Sequence, residues 1–309
     1  MGLENTEQIQ LSPLIIYGVE PQMLLTETFA FSYATEKYLA MGKALGIICL
    51  ESNFGQFILY KPQDLDSSFC IKNSDTLSYT RGAGYWIWKP YLLLKVANQT
   101  KPGTIVFYSD TGVLPRKDAE YFTNLIKDDK IHVWANDGAT IIQWVDFNVL
   151  SALKFPTELN HNPMIMGGIL LSKNSTNLRN FAKVWLELCE QPHLLRPDTL
   201  NGYEKPPETI WHRYDQSILS VIVATNPSWF SIHSLKPSED RVSDVFDIHR
   251  NEKIKAKIFI NSFPQLRIMR QEIVKKMPSS ISRKLRSLLF DSKKRNFSPE
   301  ENESLKKSF

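Results

Sequence analysis

The segment YSDTG at residues 108–112 joins small polar residues and one carboxylate to the end of an apolar run. The preceding residues, PGTIVF, carry a turn signal and then a β-rich stretch, which predicts a buried strand. Ligands of open α/β sheets bind at the carboxyl ends of strands, so Asp110 is well placed to meet a substrate. A carboxylate there can hold a divalent ion that also binds a diphosphate. The alternative is a solvated turn in which Asp110 caps the next segment.

A second segment, RGAGYWIWKPY at residues 81–91, interleaves four aromatic rings with Arg81 and Lys89 after two glycines. The rings can stack on a base or a sugar, and the two cations can meet phosphate charge. The glycines permit unusual backbone conformations, but their spacing is not the dinucleotide-binding fingerprint. Core packing accounts for some of the rings, and we expect at least one tryptophan to be structural.

Two later segments add further polar candidates. In WHRYDQS, residues 211–217, Asp215 either caps a helix at its N-terminus, which is the commoner role, or faces a reacting sugar together with Gln216. In DIHR, residues 247–250, His249 offers an imidazole for a manganese-like ion and Arg250 offers a guanidinium for a diphosphate. A lone histidine is nevertheless more often structural.

The elements that must position these residues alternate between strand and helix patterns, which predicts an α/β fold. The expected strands are 14–17, 56–60, the run ending in YSD, 131–135, 140–145 and 164–172; the expected helices are 34–50, 178–190 and those beginning near Pro90 and Asp215. The NDG turn at 136–138 predicts a hairpin between its two flanking strands. Two glycines interrupt the strand at 164–172.

The composition is that of an ordinary globular protein, with 42% hydrophobic and 23% charged residues over 309 positions. No apolar stretch reaches the roughly 20 residues of a membrane span, and the polar N-terminus lacks the order of a secretory signal. Three widely spaced cysteines favour buried thiols over a disulfide framework or a zinc site. We therefore expect a cytoplasmic protein.

The net charge of +4 comes from the C-terminal region, since residues 270–309 contain 11 Lys or Arg against 5 Asp or Glu, an excess of 6 that leaves −2 for the remainder. Because the remainder is slightly acidic, nucleic acid is not an expected partner. The segment SISRKLRSLLF, residues 280–290, has apolar residues on one helical face and basic residues elsewhere. It fits either peripheral membrane contact or a surface helix that packs on its own domain.

Taken in order, RGAGYWIWKPY, VFYSDTG, MGGILLSKN, RYDQSILS and DIHR resemble a bacterial and viral group of GT-A glycosyltransferases of the polysaccharide type. The resemblance covers about residues 81–250. It implies a nucleotide-diphospho-sugar transferase domain over residues 1–265 and a basic, partly amphipathic tail over residues 266–309. It also implies a Rossmann-type α/β fold, with a mixed, mostly parallel sheet flanked by helices.

The same resemblance implies a metal-dependent reaction. Similar enzymes hold Mn²⁺ or Mg²⁺ on an acidic DXD element and a C-terminal histidine, which correspond here to Asp110 and His249. Tyr108 stands where the full element has its first aspartate, so Asp110 is its only acid. The ion and nearby cations would stabilise the departing nucleoside diphosphate while a glycan or other hydroxyl acceptor attacks. By family analogy the donor is a UDP-sugar.

Roles for the remaining residues also follow from the resemblance. Asp215 and Gln216 correspond to a catalytic pair beside the donor sugar, and Gly167 and Gly168 to a glycine pair on the acceptor side of the donor site. The full set of expected donor contacts is Arg81, Tyr85, Trp86, Lys89, Tyr108, Ser109, Asp110, Gly167, Gly168 and Arg250.

Two other classes compete with this interpretation. A nucleotidyltransferase would share the fold and the metal, but it needs a glycine-rich basic loop directly after the first strand, and LIIYGVEPQ lacks one. A non-catalytic carbohydrate-binding protein needs only the aromatic residues, which leaves Asp110 and His249 without a purpose. Inversion and retention of the anomeric configuration both stay open.

Overall fold

The computed structural model describes residues 14–17, 28–207, 209–234 and 245–248. Its strands are β1 (Leu14–Tyr17), β2 (Thr28–Tyr33), β3 (Gln56–Tyr60), β4 (Ile105–Ser109), β5 (Val113–Pro115), β6 (Ile131–Thr140), β7 (Pro163–Ile165), β8 (Ile169–Lys173), β9 (Phe230–Ser234) and β10 (Phe246–Ile248). Its helices are α1 (Leu39–Glu51), α2 (Ser67–Lys72), α3 (Ser74–Leu77), α4 (Gly82–Tyr85), α5 (Trp88–Gln99), α6 (Ala119–Leu125), α7 (Ile141–Trp144), α8 (Phe147–Ala152), α9 (Thr176–Cys189), α10 (Pro192–Leu195) and α11 (Tyr214–Thr225).

Eight of these strands form one mixed sheet in the order β1-β3-β2-β4-β8-β6-β7, with β9 paired to β6. Strand β2 lies parallel to both β3 and β4. Strand β8 runs antiparallel to β4 and to β6, and β9 runs parallel to β6. Five strands, β2, β3, β4, β6 and β9, therefore point in one direction. The predicted α/β fold with a mixed sheet flanked by helices is confirmed.

Strands β7 and β8 are two halves of one strand, separated by Met166, Gly167 and Gly168. Before the break, the N–H of Met166 donates to the carbonyl of Trp134 in β6 at 2.7 Å. After the break, β8 pairs with β4, and the carbonyl of Gly168 accepts from the N–H of Asp110 at 2.8 Å. The two glycines thus lie beside the end of β4, and the predicted glycine interruption is confirmed.

Side chains of β4 alternate between two apolar layers, as the period of a strand requires. Val106 and Tyr108 belong to the core that α5, α9 and α11 cover. Phe107 faces the opposite side, where its ring centroid lies 5.1 Å from those of Phe54 and Phe122. The sheet is therefore buried on both faces at this strand, and its carboxyl end is the part that can meet a ligand.

Helix α5 begins where the parallel strands end. Its first residue, Trp88, stacks on Tyr33, the last residue of β2, with ring centroids 4.0 Å apart. Pro90 stands in the first turn, where a missing N–H costs no helical hydrogen bond. Leu92 and Val96 are buried in the core, as predicted. This packing brings the first turn of α5 close to the end of β4.

The predicted hairpin over residues 131–145 is wrong. Strand β6 extends from Ile131 to Thr140, with an irregularity between Asn136 and Thr140 in its pairing with β7, and residues 141–144 form helix α7 instead. The backbone N–H of Thr140 donates to the side-chain oxygen of Gln143 at 3.2 Å, a capping arrangement that begins a helix. Strand β6 pairs with β7, β8 and β9, so partners from distant parts of the chain replace the local return that the NDG turn suggested.

Strand β2 was missed by the sequence reasoning, although its six residues are all buried and it pairs with both β3 and β4. The strands at 14–17 and 56–60 are confirmed, as are α5, α9 and α11. Cys49 and Cys189 are buried thiols as expected, whereas Cys70 is half-buried.

The expected domain boundary at residue 265 and the basic tail lie outside the described residues, so both stay predictions. In the part of the chain that is described, no helix is long and apolar enough to cross a membrane.

Two histidines contact each other between β6 and β9, where His132 Nδ1 lies 2.8 Å from His233 Nε2. Burial lowers the pKa of His132 to about 4, and the neighbouring His233 adds to this effect. Burial also lowers the pKa of His233. A histidine whose pKa falls on folding contributes stability above its unfolded pKa, near 6.5, and that stability is lost as pH falls towards the folded pKa.

We therefore expect His132 to contribute up to about 2 kcal/mol less to the free energy of unfolding at pH 5 than at pH 8. Urea unfolding at the two pH values should show a smaller decrease in His132→Gln than in the wild type. His161→Gln, which replaces an exposed histidine, is the control and should retain the full decrease. Equal decreases in the wild type and His132→Gln would contradict the assignment.

Candidate active site

The segment from Gly82 to Trp86, which contains the short element α4, is not a regular right-handed helix but a left-handed turn between α3 and α5. Its five residues all have positive φ, with values of 58° at Gly82, 50° at Ala83, 91° at Gly84, 52° at Tyr85 and 61° at Trp86. The N–H of Tyr85 donates to the carbonyl of Arg81 at 2.8 Å, so the turn closes like a helix of the opposite hand. Each non-glycine residue there costs about 1–2 kcal/mol, which surrounding contacts must offset.

Both glycines of this turn are required by close approach as well as by φ. A Cβ on Gly82 would lie 2.4 Å from the Trp86 indole, and one on Gly84 would lie 3.0 Å from the Cα of Leu77. The backbone of the turn therefore packs against the Trp86 ring at Gly82 and against α3 at Gly84. The glycine spacing that resembled no nucleotide fingerprint thus serves to orient an aromatic side chain.

The aromatic rings of the segment divide into structural and cavity-facing groups. Trp88 is buried and donates its indole N–H to the carbonyl of Gly82 at 2.9 Å, which confirms the expectation of a structural tryptophan. Tyr85 is also buried, with its ring centroid 4.7 Å from that of Tyr214. Tyr91 stacks on Phe69 at 3.8 Å. Trp86 is left to face the cavity.

Lys89 lies in the first turn of α5 and is the centre of the polar cluster. Its Nζ is 3.3 Å from Asp110 Oδ1, 3.3 Å from Asp215 Oδ2 and 3.0 Å from the carbonyl oxygen of Gly167. The Lys89 side chain is only 5% exposed, and the rings of Trp86, Trp88 and Tyr108 lie within 6 Å of the ammonium. Burial by itself lowers the pKa of Lys89, but the two carboxylates outweigh burial and the pKa is raised.

An ammonium group has three N–H donors, and those of Lys89 face three acceptors on the protein. One acceptor is Asp110, one is Asp215 and one is the carbonyl of Gly167. Lys89 therefore contributes its charge to the cavity wall while its donors hold three separate segments together.

Asp110 follows the last residue of β4 and is the more accessible of the two carboxylates, with a side chain 36% exposed against 4% for Asp215. The hydroxyl of Tyr108 donates to the Asp110 carboxylate. Burial, followed by the charge of Asp110, raises the pKa of Tyr108 well above its usual value, so Tyr108 stays a neutral donor. Ser109 points away and donates to the carbonyl of Val113.

The glycine pair lets β8 pass directly over the carboxylates. A Cβ on Gly168 would lie 2.9 Å from Asp110 Oδ2, and one on Gly167 would lie 3.4 Å from Asp215 Oδ2. Any side chain at Gly168 would therefore displace Asp110. The requirement here is close approach, since neither glycine has a positive φ.

Asp215 is the second residue of α11, and the N-cap position belongs to Arg213, so the capping alternative for Asp215 is wrong. Its backbone carbonyl accepts from the indole N–H of Trp185 at 3.1 Å. Burial raises the pKa of Asp215 to about 7, with Lys89 opposing the shift. Within the described residues, Asp215 Oδ2 has the Lys89 ion-pair contact but no hydrogen bond of ordinary geometry.

Gln216 follows on the same turn, and its amide Nε2 donates to the carbonyl of Ile165 in β7 at 2.7 Å. This contact orients the amide group at the cavity wall. Tyr214, the first residue of α11, has a φ of 50°. It is a further strained position beside the site, in addition to the turn at residues 82–86.

These residues surround a cavity of about 560 Å³. It is lined by Arg81, Trp86, Lys89, Asp110, Trp144, Gly167, Gly168, Trp211, Arg213, Tyr214, Asp215 and Gln216. The structure thus brings together eight of the residues expected from the sequence. Tyr85, Tyr108 and Ser109 lie behind the wall, and His249 and Arg250 are outside the described residues.

Two cationic groups at the cavity lie on aromatic rings. The Arg81 guanidinium is 4.9 Å from the centroid of Tyr214 and 5.1 Å from that of Trp211. The Arg213 guanidinium is 3.9 Å from the centroid of Trp144. Sequence reasoning singled out the segment containing Arg213 and Trp211 but assigned neither residue a role. The cation two residues before Asp215 in RYDQS was the available signal for Arg213.

The carboxylates fit a divalent ion only in a limited way. Among the described residues there is no group of three or more His, Cys, Asp or Glu side chains that would surround a metal. Asp110 can supply one partly exposed carboxylate, and Mg²⁺-like ions are often held by one or two carboxylates together with substrate phosphates. The arrangement therefore suits an ion that binds together with a diphosphate.

No protein-family model matches this chain. No curated protein matches it either. Partial similarity exists to solved structures, beginning with the bifunctional glycosyltransferase WbbM, which covers 71% of this chain with a TM-score of 0.37 and 10% identity. This chain spans 40% of the length of WbbM.

Two further structures have a TM-score of 0.34 and 11% identity, and each covers 67% of this chain. They are mouse xyloside xylosyltransferase 1, aligned over 84% of its length, and the galactosyltransferase LgtC with donor and acceptor sugar analogs, aligned over 73%. All three structures are glycosyltransferases, the class that the sequence motifs resemble. Similarity at this level carries no argument for function, which rests on the site.

The buried cluster predicts a specific pattern of stability. Replacing Lys89 by Met leaves Asp110 and Asp215 without their shared cation, so Lys89→Met should lower the free energy of unfolding by about 3 kcal/mol or more. In the double variant Lys89→Met/Asp215→Asn one of those charges is gone, and the cost should be smaller than the sum of the single costs. Urea unfolding measures all three.

The matched control is Lys72→Met, which removes a lysine that pairs with Glu190 while 65% of its own side chain is exposed. Its cost should be about 1 kcal/mol or less. Additive costs of Lys89→Met and Asp215→Asn, or equal costs of Lys89→Met and Lys72→Met, would show that Lys89 does not hold the cluster together.

Proposed function

We propose that this protein is a glycosyltransferase that moves a sugar from a nucleotide-diphosphate donor to a hydroxyl of a glycan acceptor. One observation carries the proposal: a single cavity contains two guanidinium groups on aromatic faces and two carboxylates that share one buried ammonium. A diphosphate needs the first pair of groups, and a reacting sugar hydroxyl suits the second. The cavity volume of about 560 Å³ is in the range of small-molecule sites.

Arg81 and Arg213 are the proposed ligands of the donor diphosphate. A guanidinium binds phosphate oxygens with two parallel hydrogen bonds, and rings beneath it keep its donors directed outwards. Trp86 and Trp211 supply aromatic surface for the base or the sugar; Trp211 is 45% exposed. UDP is the proposed nucleotide by analogy with the group that the motifs resemble.

Asp110 is the proposed ligand for Mn²⁺ or Mg²⁺, with His249 as a second ligand from outside the described residues. When bound, such an ion neutralises charge on the diphosphate as it leaves. The hydroxyl of Tyr108 donates to the Asp110 carboxylate, and the absence of a Cβ at Gly168 lets the backbone there lie beside Asp110 without displacing it. These contacts support a carboxylate that keeps one orientation.

Asp215 and Gln216 are proposed to face the reacting sugar. Asp215 lines the cavity, and its buried Oδ2 has only the Lys89 ion-pair contact, so the carboxylate keeps acceptor capacity for a sugar hydroxyl. A pKa of about 7 suits a group that exchanges a proton near neutral pH. Lys89 acts as a positioning residue that holds Asp215 beside Asp110.

Neither alternative class is supported as well by the site. A nucleotidyltransferase needs a glycine-rich loop after its first parallel strand, which is β2, and residues 34–38 after β2 read ATEKY. A non-catalytic carbohydrate-binding protein has no need of a carboxyl group whose pKa is raised to about 7 beside a second, partly exposed carboxylate.

Asp110→Asn tests the proposed metal ligand with little change in shape. We expect Mn²⁺ to strengthen UDP binding to the wild type, and Asp110→Asn to weaken this Mn²⁺-dependent binding by about tenfold or more, because the amide lacks the carboxylate charge. Isothermal titration of UDP with and without Mn²⁺ measures this. Mn²⁺-dependent binding of unchanged strength in Asp110→Asn would remove Asp110 from the metal site.

Arg81→Ala and Arg213→Ala test the proposed diphosphate ligands. Each should weaken UDP binding by roughly 10- to 100-fold, the strength of a charge-assisted hydrogen bond, and should weaken uridine binding much less. Arg179→Ala, on α9 and outside the cavity lining, is the control and should bind UDP as the wild type does. Equal losses for UDP and uridine would mean that the arginines contact the nucleoside rather than the phosphates.

A further inference from the structure

A second cavity, of about 450 Å³, lies beside helix α8 and contains none of the residues expected from the sequence. Two aromatic rings line it, Phe147 and Tyr203, together with the polar side chains of Asn148, Glu204 and Lys205. Phe147 is 51% exposed, which is unusual for so large an apolar side chain. The lining thus combines open aromatic faces with hydrogen-bonding groups of both charges.

Hydrogen bonds to one buried carboxylate fix the wall of this cavity. The Tyr203 hydroxyl donates to Asp146 Oδ2 at 2.6 Å, and Asp146 Oδ1 accepts from the N–H of Asn148 at 2.8 Å. Asp146 is fully buried and caps α8 through the second contact. One buried carboxylate therefore fixes the ring of Tyr203 and the start of the helix that bears Phe147.

The two cavities are joined by a pair of adjacent chain segments, residues 143–147 and 209–213. The N–H of Phe147 donates to Thr209 Oγ1 at 3.2 Å, and the N–H of Ile210 donates to the carbonyl of Gln143 at 2.8 Å. Trp144 and Trp211 line the first cavity, whereas Phe147, three residues after Trp144, lines the second. The same hydrogen-bonded pair of segments therefore supplies residues to both cavities.

Three large apolar side chains on these segments are exposed, and we call them the apolar strip. Ile210 is 52% exposed, Trp211 45% and Phe147 51%. Contiguous exposed apolar surface rimmed by polar groups marks binding sites in soluble domains. Sugars have C–H faces that pack on aromatic rings and hydroxyl edges that hydrogen-bond to amides and charged groups, so the lining suits sugars in both respects.

We propose that the second cavity binds the inner sugar units of the acceptor, so that the preferred acceptor is an oligosaccharide rather than a single sugar. The proposal rests on the proposed transferase function, because it takes the sugar that receives the new bond to lie in the first cavity. The strip along Trp211 and Ile210 carries the intervening part of the glycan. Phe147 supplies the main stacking surface.

The test compares glycans of different length on the full chain. A panel of gluco- and galacto-configured glycans of one to four sugars is titrated against the protein in the presence of UDP and Mn²⁺. We expect at least one tetrasaccharide to bind about tenfold more tightly than its terminal monosaccharide, the gain that one stacked ring can supply. Phe147→Ala should remove most of this gain and leave UDP binding unchanged.

Ile71→Ala is the matched control, since Ile71 is 76% exposed on α2 and lines neither cavity. It should retain the preference for the longer glycan. Equal binding of mono- and tetrasaccharides, no binding of any panel glycan while UDP binds, or an unaltered Phe147→Ala would each overturn the proposal. So would a wild-type dimer that Phe147→Ala converts to a monomer, because a second copy of the chain would then cover the strip.

Failure of the proposed function has a different signature. If UDP does not bind but oligosaccharides do, and Phe147→Ala weakens them, the second cavity stands as a glycan site and the donor assignment is what fails.

Discussion

The ammonium group of Lys89 lies where the first turn of α5, the end of β4 and the first turn of α11 meet, and its three donors face Asp110, Asp215 and the carbonyl of Gly167. A buried charge is tolerated only when its partners stay in place, because losing one leaves the others unpaired in a medium of low dielectric. The register of β4 with β8 and the start of α11 are therefore constrained by one side chain. These contacts fix the cavity wall where the proposed chemistry takes place.

The backbone around this cluster is unusual for a related reason. Five successive residues from Gly82 to Trp86 have positive φ, and Tyr214 has it as well. Such conformations persist only where packing offsets their cost, and here Trp86 and Tyr214 stack on one another with centroids 6.1 Å apart. The backbone at Gly168 is unstrained but is also shaped by close packing, because the absent Cβ lets β8 pass beside Asp110. Strain and close approach are concentrated around one cavity, while the alternating core of β4 obeys ordinary strand periodicity.

Much of this arrangement could be predicted from the sequence where local pattern and function agree. Asp110 follows a sharply bounded apolar strand, so its position at a strand end could be predicted from periodicity alone. Asp215 stands at the start of an apolar helical run, so its position near a helix N-terminus could be predicted. The pattern did not distinguish a capping residue from a buried carboxylate. That distinction depends on Lys89, 126 positions earlier in the sequence. Long-range ion pairs of this kind leave no local signal.

The misses have different origins. Strand β2, TFAFSY, alternates aromatic with small residues, a strand signal that the sequence reasoning did not use, and all six residues are buried where it pairs with β3 and β4. The NDG turn indicated a hairpin, whereas β6 is extended by partners far away in the chain, and Trp144 consequently belongs to a helix that reaches the cavity. Arg213 was overlooked because a lone arginine is ordinarily a surface residue; its stacking on Trp144 is a property of the fold.

The central claim is that this cavity activates a nucleotide-sugar, and release of nucleotide from donor sugars tests it most directly. The full chain is incubated with a panel of UDP-, GDP- and CMP-sugars, with and without Mn²⁺, and free nucleotide is measured over time beside Asp215→Asn. The account predicts Mn²⁺-dependent release from one class of donor, with UDP-sugars expected, and a much lower rate in the variant. No release from any donor above the rate without protein, or equal release by Asp215→Asn, would contradict it.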